Sequence, residues 1–133
     1  MTSLEVLEDL LLEVRVENLT VGRICRAAGI SRSTFYREFD NIDDAVGRLF
    51  DAVVTEMVMA GQPWLEGTSL RVKPHLEGVY SAFLKHGPFM RAAADAELGQ
   101  PTSKKYRGMM EAWDALVGKR LAESFPWVES PMT

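Results

Sequence analysis

The chain has 133 residues and a formal net charge of −4, with 47% hydrophobic and 26% charged residues. This composition is ordinary for a globular protein of one compact unit or two small ones, and no apolar run approaches the roughly 18 residues of a membrane span. A single cysteine cannot build a disulfide framework, and the opening MTSLEVLEDLLLE lacks the basic segment of a secretory signal, so we expect a cytoplasmic location.

The sequence predicts an all-α fold, because no alternation of β-branched and aromatic residues persists along the chain. The first predicted helix runs from about Ser3 to Arg15. Its apolar residues recur at three- and four-residue spacing, as one face of an amphipathic helix requires. These residues are Leu4, Leu7, Leu11 and Val14.

Residues 20–39 predict two short helices joined by a tight turn. Thr20 is placed to cap a helix whose apolar positions include Ile24 and Cys25, and Gly29 is placed to end it. Ser31 is then placed to cap a second helix, from about Arg32 to Phe39. Helix, glycine-containing turn and helix form the helix-turn-helix arrangement that places its second helix in the major groove of DNA. We expect Cys25 to act as a small buried hydrophobe.

Positive charge is concentrated in this element. Arg23, Arg26, Arg32 and Arg37 lie inside it against one acid, Glu38, so residues 20–39 carry +3 and the rest of the chain carries −7. A basic element on an acidic body is the charge distribution expected of a protein that directs one surface toward phosphate.

Four further helices are predicted after this element. Asn41 is placed to cap a helix reaching about Gly61, and the linker GQPWLEGTSLRVKP follows it. Helices are then predicted at about 74–86 and 89–98, separated by a break at Gly87-Pro88. The last is predicted at about 102–125, capped by Thr102 or Ser103. These elements divide the chain into a head, residues 1–48, and a body, residues 49–133.

The stretch TVGRICRAAGISRSTFYREFDNIDDAV, residues 20–46, resembles the TetR family of bacterial transcriptional repressors. The A-A-G-I-S turn, the T-F-Y-x-x-F run and the acidic helix start carry the likeness. The resemblance implies a helix-turn-helix DNA-binding domain followed by a helical effector-binding body, and a homodimer on a palindromic operator. Residues 32–36 and the aromatic-rich later helices look most similar to the ethionamide-resistance repressor branch.

The resemblance also implies residue roles. Thr20 is placed as a phosphate contact at a helix N-terminus, and Tyr36 resembles the family tyrosine whose hydroxyl reaches a phosphate. Arg37 is close enough to contact phosphate or base. The residues at the start of the second short helix are placed for the major groove: Ser31, Arg32, Ser33 and Thr34.

Two features depart from the family pattern. Ile42 stands where the family usually has a lysine, which removes one phosphate contact. The chain also stops where two more long helices normally form the dimer's bundle. The chain is then a fragment, or dimerises otherwise, or the sequence in hand omits part of the protein.

The body contains many methionines and aromatic residues, and core packing is one explanation for them. A sharper hypothesis places an apolar ligand pocket between the helices predicted at 74–86 and 102–125. Its lining would be Tyr80, Phe83, Met110 and Trp113. The ligand would then be apolar or amphipathic, and no cofactor or metal is expected, since His75 and His86 are too far apart to share one.

The sequence therefore predicts a sequence-specific DNA-binding regulator, most simply a repressor relieved by a small ligand. It contains no catalytic motif, so an enzyme is not expected. One alternative is a helical protein-interaction module, or a dominant-negative fragment that keeps the head without a proper dimer. Another is a helical carrier of lipids or small molecules with a vestigial head.

Overall fold

The all-α fold is confirmed in a computed structural model that describes residues 2–65 and 72–125. These ranges contain six α-helices, a single 3-10 turn at Val16–Asn18 and no β-strand. None of these helices combines the length and the apolar character needed to cross a membrane. The helices are α1 Ser3–Glu13, α2 Val21–Ala28, α3 Arg32–Glu38, α4 Ile42–Leu65, α5 Val72–Ala94 and α6 Gln100–Ser124.

The head is built from α1, α2, α3 and the first part of α4. Each of the two short helices presents an apolar side to a shared core, and Phe35 of α3 lies at its centre with no exposed surface. Its ring packs 5.3 Å from that of Phe39, centroid to centroid. Leu7, Ile24 and Val46 bring α1, α2 and α4 to the same core, each at most 2% exposed. Helices this short owe most of their stability to such packing.

The body is formed by α5 and α6 packed on the rest of α4. α4 makes its largest contacts with α5 and α6, and α1 also reaches α5. The buried apolar residues form one cluster that runs from the head along α4 into the body. Because α4 belongs to both parts, a tilt of α4 moves the head relative to the body.

The predicted helix break at Gly87-Pro88 is wrong, since α5 continues through it. Proline inside a helix removes one backbone hydrogen bond and costs about 3 kcal/mol. The apolar stripe keeps its helical register across the proline, and Ala82, Phe89 and Ala93 are all buried on it. Burial of this stripe offsets the cost, while the Pro88 ring itself faces outward.

Two other boundaries differ from the prediction. α4 continues through Pro63 to Leu65, so the first part of the predicted linker is helical, and residues 66–71 of that linker lie outside the described residues. α6 begins at Gln100, so neither Thr102 nor Ser103 caps it. Pro101 lies in its first turn, where its missing N–H costs nothing. Both predicted caps are buried inside the helix.

Candidate nucleic-acid interface

Both short helices of the head begin and end as the sequence predicts. The Thr20 hydroxyl accepts a hydrogen bond from the backbone N–H of Arg23, at 3.1 Å. The Ser31 hydroxyl accepts one from the backbone N–H of Thr34, also at 3.1 Å. Between them Gly29 takes a left-handed conformation, φ 69° and ψ 34°, which glycine adopts without steric cost. The angle between α2 and α3 is therefore set by residues of the turn itself.

The inner side of the turn is closed by Cys25. Its side chain is 6% exposed, as the sequence predicts, and its Sγ lies 3.7 Å from the carbonyl oxygen of Ser31. A thiol is a weak donor, so this contact is modest. It nonetheless links the end of α2 to the residue that caps α3.

The outer side of the two helices is cationic. The side chains of Arg23, Arg26, Arg32 and Arg37 are all exposed. Within residues 2–65 and 72–125, none of the four lies within ion-pair distance of a carboxylate. Their charge is thus not cancelled internally and is available to an anion.

Hydrogen-bonding groups run along the exposed side of α3. The Thr34 hydroxyl lies 3.0 Å from that of Ser31, and Arg37 donates to Thr34 Oγ1 at 3.2 Å. These bonds orient Arg37 along the helix. Arg32 and Ser33 are also exposed at the start of α3, where the sequence analysis expects contacts with the groove.

Tyr36 extends this surface toward the N-terminus of α2. Its ring is 53% exposed and stands edge-on against Phe35, with centroids 5.3 Å apart. It lines a shallow groove together with Val21, the residue after Thr20. The aromatic contact fixes the ring while the hydroxyl end remains toward solvent. Tyr36 therefore packs against Phe35 and still exposes about half of its side chain to solvent.

The body holds an apolar cavity of about 420 Å³ enclosed by α4, α5 and α6. This lies within the range of small-molecule pockets, which span about 300–1,000 Å³. Phe83, Met110 and Trp113, three of the four residues expected to bind a ligand, line this cavity. Arg91 contributes the only charged group among its described lining residues. The remaining lining includes several residues that the sequence analysis did not assign to a pocket: Val54, Met57, Val58, Val79, Met90, Tyr106 and Met109.

Tyr80 does not line this cavity. Its side chain is 65% exposed and belongs to a shallow apolar groove on the outer side of α5, with Leu76 and Leu84 as neighbours. Phe83 lines both this groove and the cavity, whereas Tyr80, about 60° away around the helix axis, lines only the groove.

A second polar cluster, which the sequence did not reveal, joins α1, α4 and α5. His86 is 6% exposed, and its two ring nitrogens meet two carboxylates: Nδ1 lies 2.8 Å from Glu8 Oε2 and Nε2 lies 2.7 Å from Glu56 Oε2. The carboxylates occupy opposite edges of the ring and do not converge. No group of side chains suited to holding a metal ion occurs in the described part of the chain.

Comparison with known proteins bears on the head. Residues 4–49 match the family model of bacterial regulatory proteins, tetR family. The match covers α1, α2, α3 and the start of α4, including the stretch that carries the sequence resemblance. It does not distinguish the ethionamide-resistance repressor branch. No curated protein matches the chain significantly.

Proposed function

We propose that this chain is a repressor released by a small apolar or amphipathic ligand. By residues 4–49 it belongs to the bacterial regulatory proteins of the tetR family, and it is a DNA-binding transcriptional regulator. Proteins of this family are typically dimers and not enzymes. Two heads of a dimer would read two half-sites of a palindromic operator, about 34 Å or one helical turn apart.

One observation carries the DNA-binding part of the proposal. The outer face of α2 and α3 displays four arginines without carboxylate partners in the described residues. Ser31, Ser33 and Thr34 add short hydrogen-bonding groups at the start of α3. Arginine supplies affinity for phosphate and reads guanine in the major groove, while small hydroxyls contact bases or phosphates.

The cavity supports the ligand part. Val54 and Met57 of α4 line it, and Ala45 and Val46 of the same helix pack inside the head. A ligand that needs a slightly different tilt of α4 would therefore change the position of α3, the helix expected to enter the major groove. A preference of about 3 kcal/mol for the tilted state would weaken operator binding roughly 150-fold.

The DNA-binding part is tested by selecting duplexes from a random pool with the purified protein and measuring the affinity for the recovered sequence. We expect a palindromic consensus. The double variant Arg32→Ala, Tyr36→Phe should lose at least a hundredfold in affinity for it. Lys104→Ala, which removes one exposed charge from α6, is the matched control and should bind as the unaltered protein does. Equal affinity of the double variant and the control would contradict the proposed interface.

The cavity is tested through Gly87, which lines it. A Cβ added at this position would meet no atom within 4 Å. Gly87→Leu should fill part of the cavity and reduce binding of the amphipathic dye 8-anilinonaphthalene-1-sulfonate at least tenfold. Gly108→Leu is the control, since its Cβ also meets open space but Gly108 does not line the cavity. Undiminished dye binding in Gly87→Leu would argue against this cavity as the ligand site.

A further inference from the structure

Three helices meet at the buried imidazole of His86. Glu8 comes from α1 of the head, Glu56 from α4, and His86 itself from α5. Lys85, beside the histidine, donates to the second oxygen of Glu56 at 3.0 Å. Residues 8 and 86 are 78 positions apart, so this contact joins the amino-terminal helix directly to the body.

With both carboxylates ionised, the two contacts need a proton on each ring nitrogen. A neutral imidazole donates from one nitrogen and carries a lone pair on the other, whereas an ionised carboxylate only accepts. With a neutral ring, one of the two contacts would set a nitrogen lone pair against a carboxylate lone pair at less than 3 Å. The separations of 2.7 and 2.8 Å are those of charge-assisted hydrogen bonds from an imidazolium.

The cluster is also adjacent to the cavity. Phe83 and Gly87, on either side of His86 along α5, both line it, and so does Met57, which follows Glu56. His86 therefore lies between the wall of the cavity and α1, the first helix of the head. α1 and α5 are also in direct contact in the fold.

We propose that His86 is a positioning residue for the DNA-binding head, which holds α1 in the orientation seen in this structure only while its ring is doubly protonated. That the held orientation is the one that binds DNA rests on the proposed function. When the proton leaves, one of the two carboxylate contacts becomes repulsive, and α1 loses its charged link to α5. The head then moves more freely relative to α4 and binds the operator less tightly.

The surrounding charges favour the protonated ring. Burial by itself would lower the pKa of His86, but the hydrogen bonds and charges of Glu8 and Glu56 outweigh it, so this pKa lies above the ordinary 6.5. His86 and Lys85 in turn hold the pKa of Glu56 below its ordinary value. The groups that face the cluster are Glu8 on α1, Glu56 on α4 and Lys85 on α5, with Glu5 of α1 acting on Lys85.

The protonation state is tested first, without DNA. The chain has two histidines, so their ring signals can be followed by NMR through a pH titration and assigned with His75→Gln. We expect His86 to titrate above 6.5 and to titrate lower in Glu8→Gln. His75→Gln should leave the His86 titration unchanged. A His86 that titrates below 6.5, or that ignores Glu8→Gln, would overturn the proposal.

The positioning role is tested by amide hydrogen exchange of α1, corrected for the intrinsic effect of pH. Across the measured pKa of His86, protection of α1 should fall about tenfold in the unaltered protein. Glu8→Gln should flatten this change, because the glutamine amide can accept from a charged ring or donate to a neutral one. His86→Gln should also show no step. It serves as a second variant, since glutamine does not titrate. A step of the same size in Glu8→Gln would contradict the assignment.

DNA binding supplies the final readout, with a duplex recovered by selection as the probe. Affinity one pH unit above the His86 pKa should be about tenfold weaker than one unit below it, and Glu8→Gln should remove that difference. If no duplex is recovered, the proposed function fails while the titration and exchange results still decide the role of His86. If DNA binds but its affinity shows no step, the positioning role is refuted and the repressor proposal stands.

Discussion

Substitutions at Ser31 separate the structural role of this residue from its expected place against DNA. Its hydroxyl caps α3 through the backbone N–H of Thr34 at 3.1 Å, and its side chain is exposed. Ser31→Ala removes the cap, whose loss costs about 1 kcal/mol. For a chain of 133 residues this corresponds to a fall in Tm of about 4 °C. Ser31→Asn and Ser31→Asp both restore a capping oxygen and should recover most of that loss.

The two capping variants differ in charge, and DNA should distinguish them. Two phosphates about 5 Å from an aspartate oppose it by about 0.8 kcal/mol each even in water, which together weakens binding roughly tenfold or more. Ser31→Asn should bind the selected duplex within about threefold of the unaltered protein, since asparagine keeps the cap without adding charge.

Thermal unfolding followed by circular dichroism gives the stability series, and fluorescence anisotropy with a labelled duplex gives the affinity series. The expected order of stability is Ser ≈ Asn ≈ Asp above Ala, whereas the expected order of affinity places Asp last. If Ser31→Asp bound DNA as tightly as Ser31→Asn at low salt, the start of α3 would not face phosphate. The exposed hydroxyls of α3 would then not form part of a DNA-binding surface.

Four other predictions concern stability. Gly29→Ala should cost about 1 kcal/mol because φ is 69°, although open space surrounds the new Cβ; equal Tm values for the two proteins would contradict this. The stabilisation from His86 is complete below its unfolded pKa near 6.5 and is lost as pH rises through its higher folded pKa. Tm should therefore fall as pH rises through the folded pKa, and the slope of Tm against pH should be flatter in His86→Gln. For Glu56 the pKa is lowered, so its stabilisation is present above 4.5 and is lost as pH falls through the folded value, which urea unfolding at pH 3–5 would show. Lys105→Ala breaks an exposed ion pair of 2.8 Å with Asp51 and should change the unfolding free energy by less than about 0.5 kcal/mol. A loss above about 1.5 kcal/mol would contradict this and show that α6 depends on the pair.

The head could be predicted closely because local chemistry sets its boundaries. Thr20, Gly29, Ser31 and Asn41 each act on residues three or four positions away, and all four caps occur as predicted. Such short-range signals are complete within the sequence itself. The apolar stripe of α2 likewise predicts the burial of Cys25.

The body was harder to predict because its structure depends on distant partners. At Pro88, local propensity indicates a helix end, but packing of the stripe on α4 overrides it. Helical periodicity identifies Phe83 and Tyr80 as apolar positions without fixing which of them faces α6. The contact of His86 with Glu8 has no local signal at all, since neither side chain is unusual in its own helix.

The most direct test of the central claim, that the cationic face of α2 and α3 binds duplex DNA, is the salt dependence of affinity for the selected duplex. Each arginine that neutralises a phosphate adds about −0.9 to the slope of log affinity against log salt. With four exposed arginines per head, we predict a slope between about −2 and −4 for each bound head. Arg26→Gln should make this slope shallower by about 0.9. A slope near zero, from folded protein with a measurable affinity, would contradict the claim.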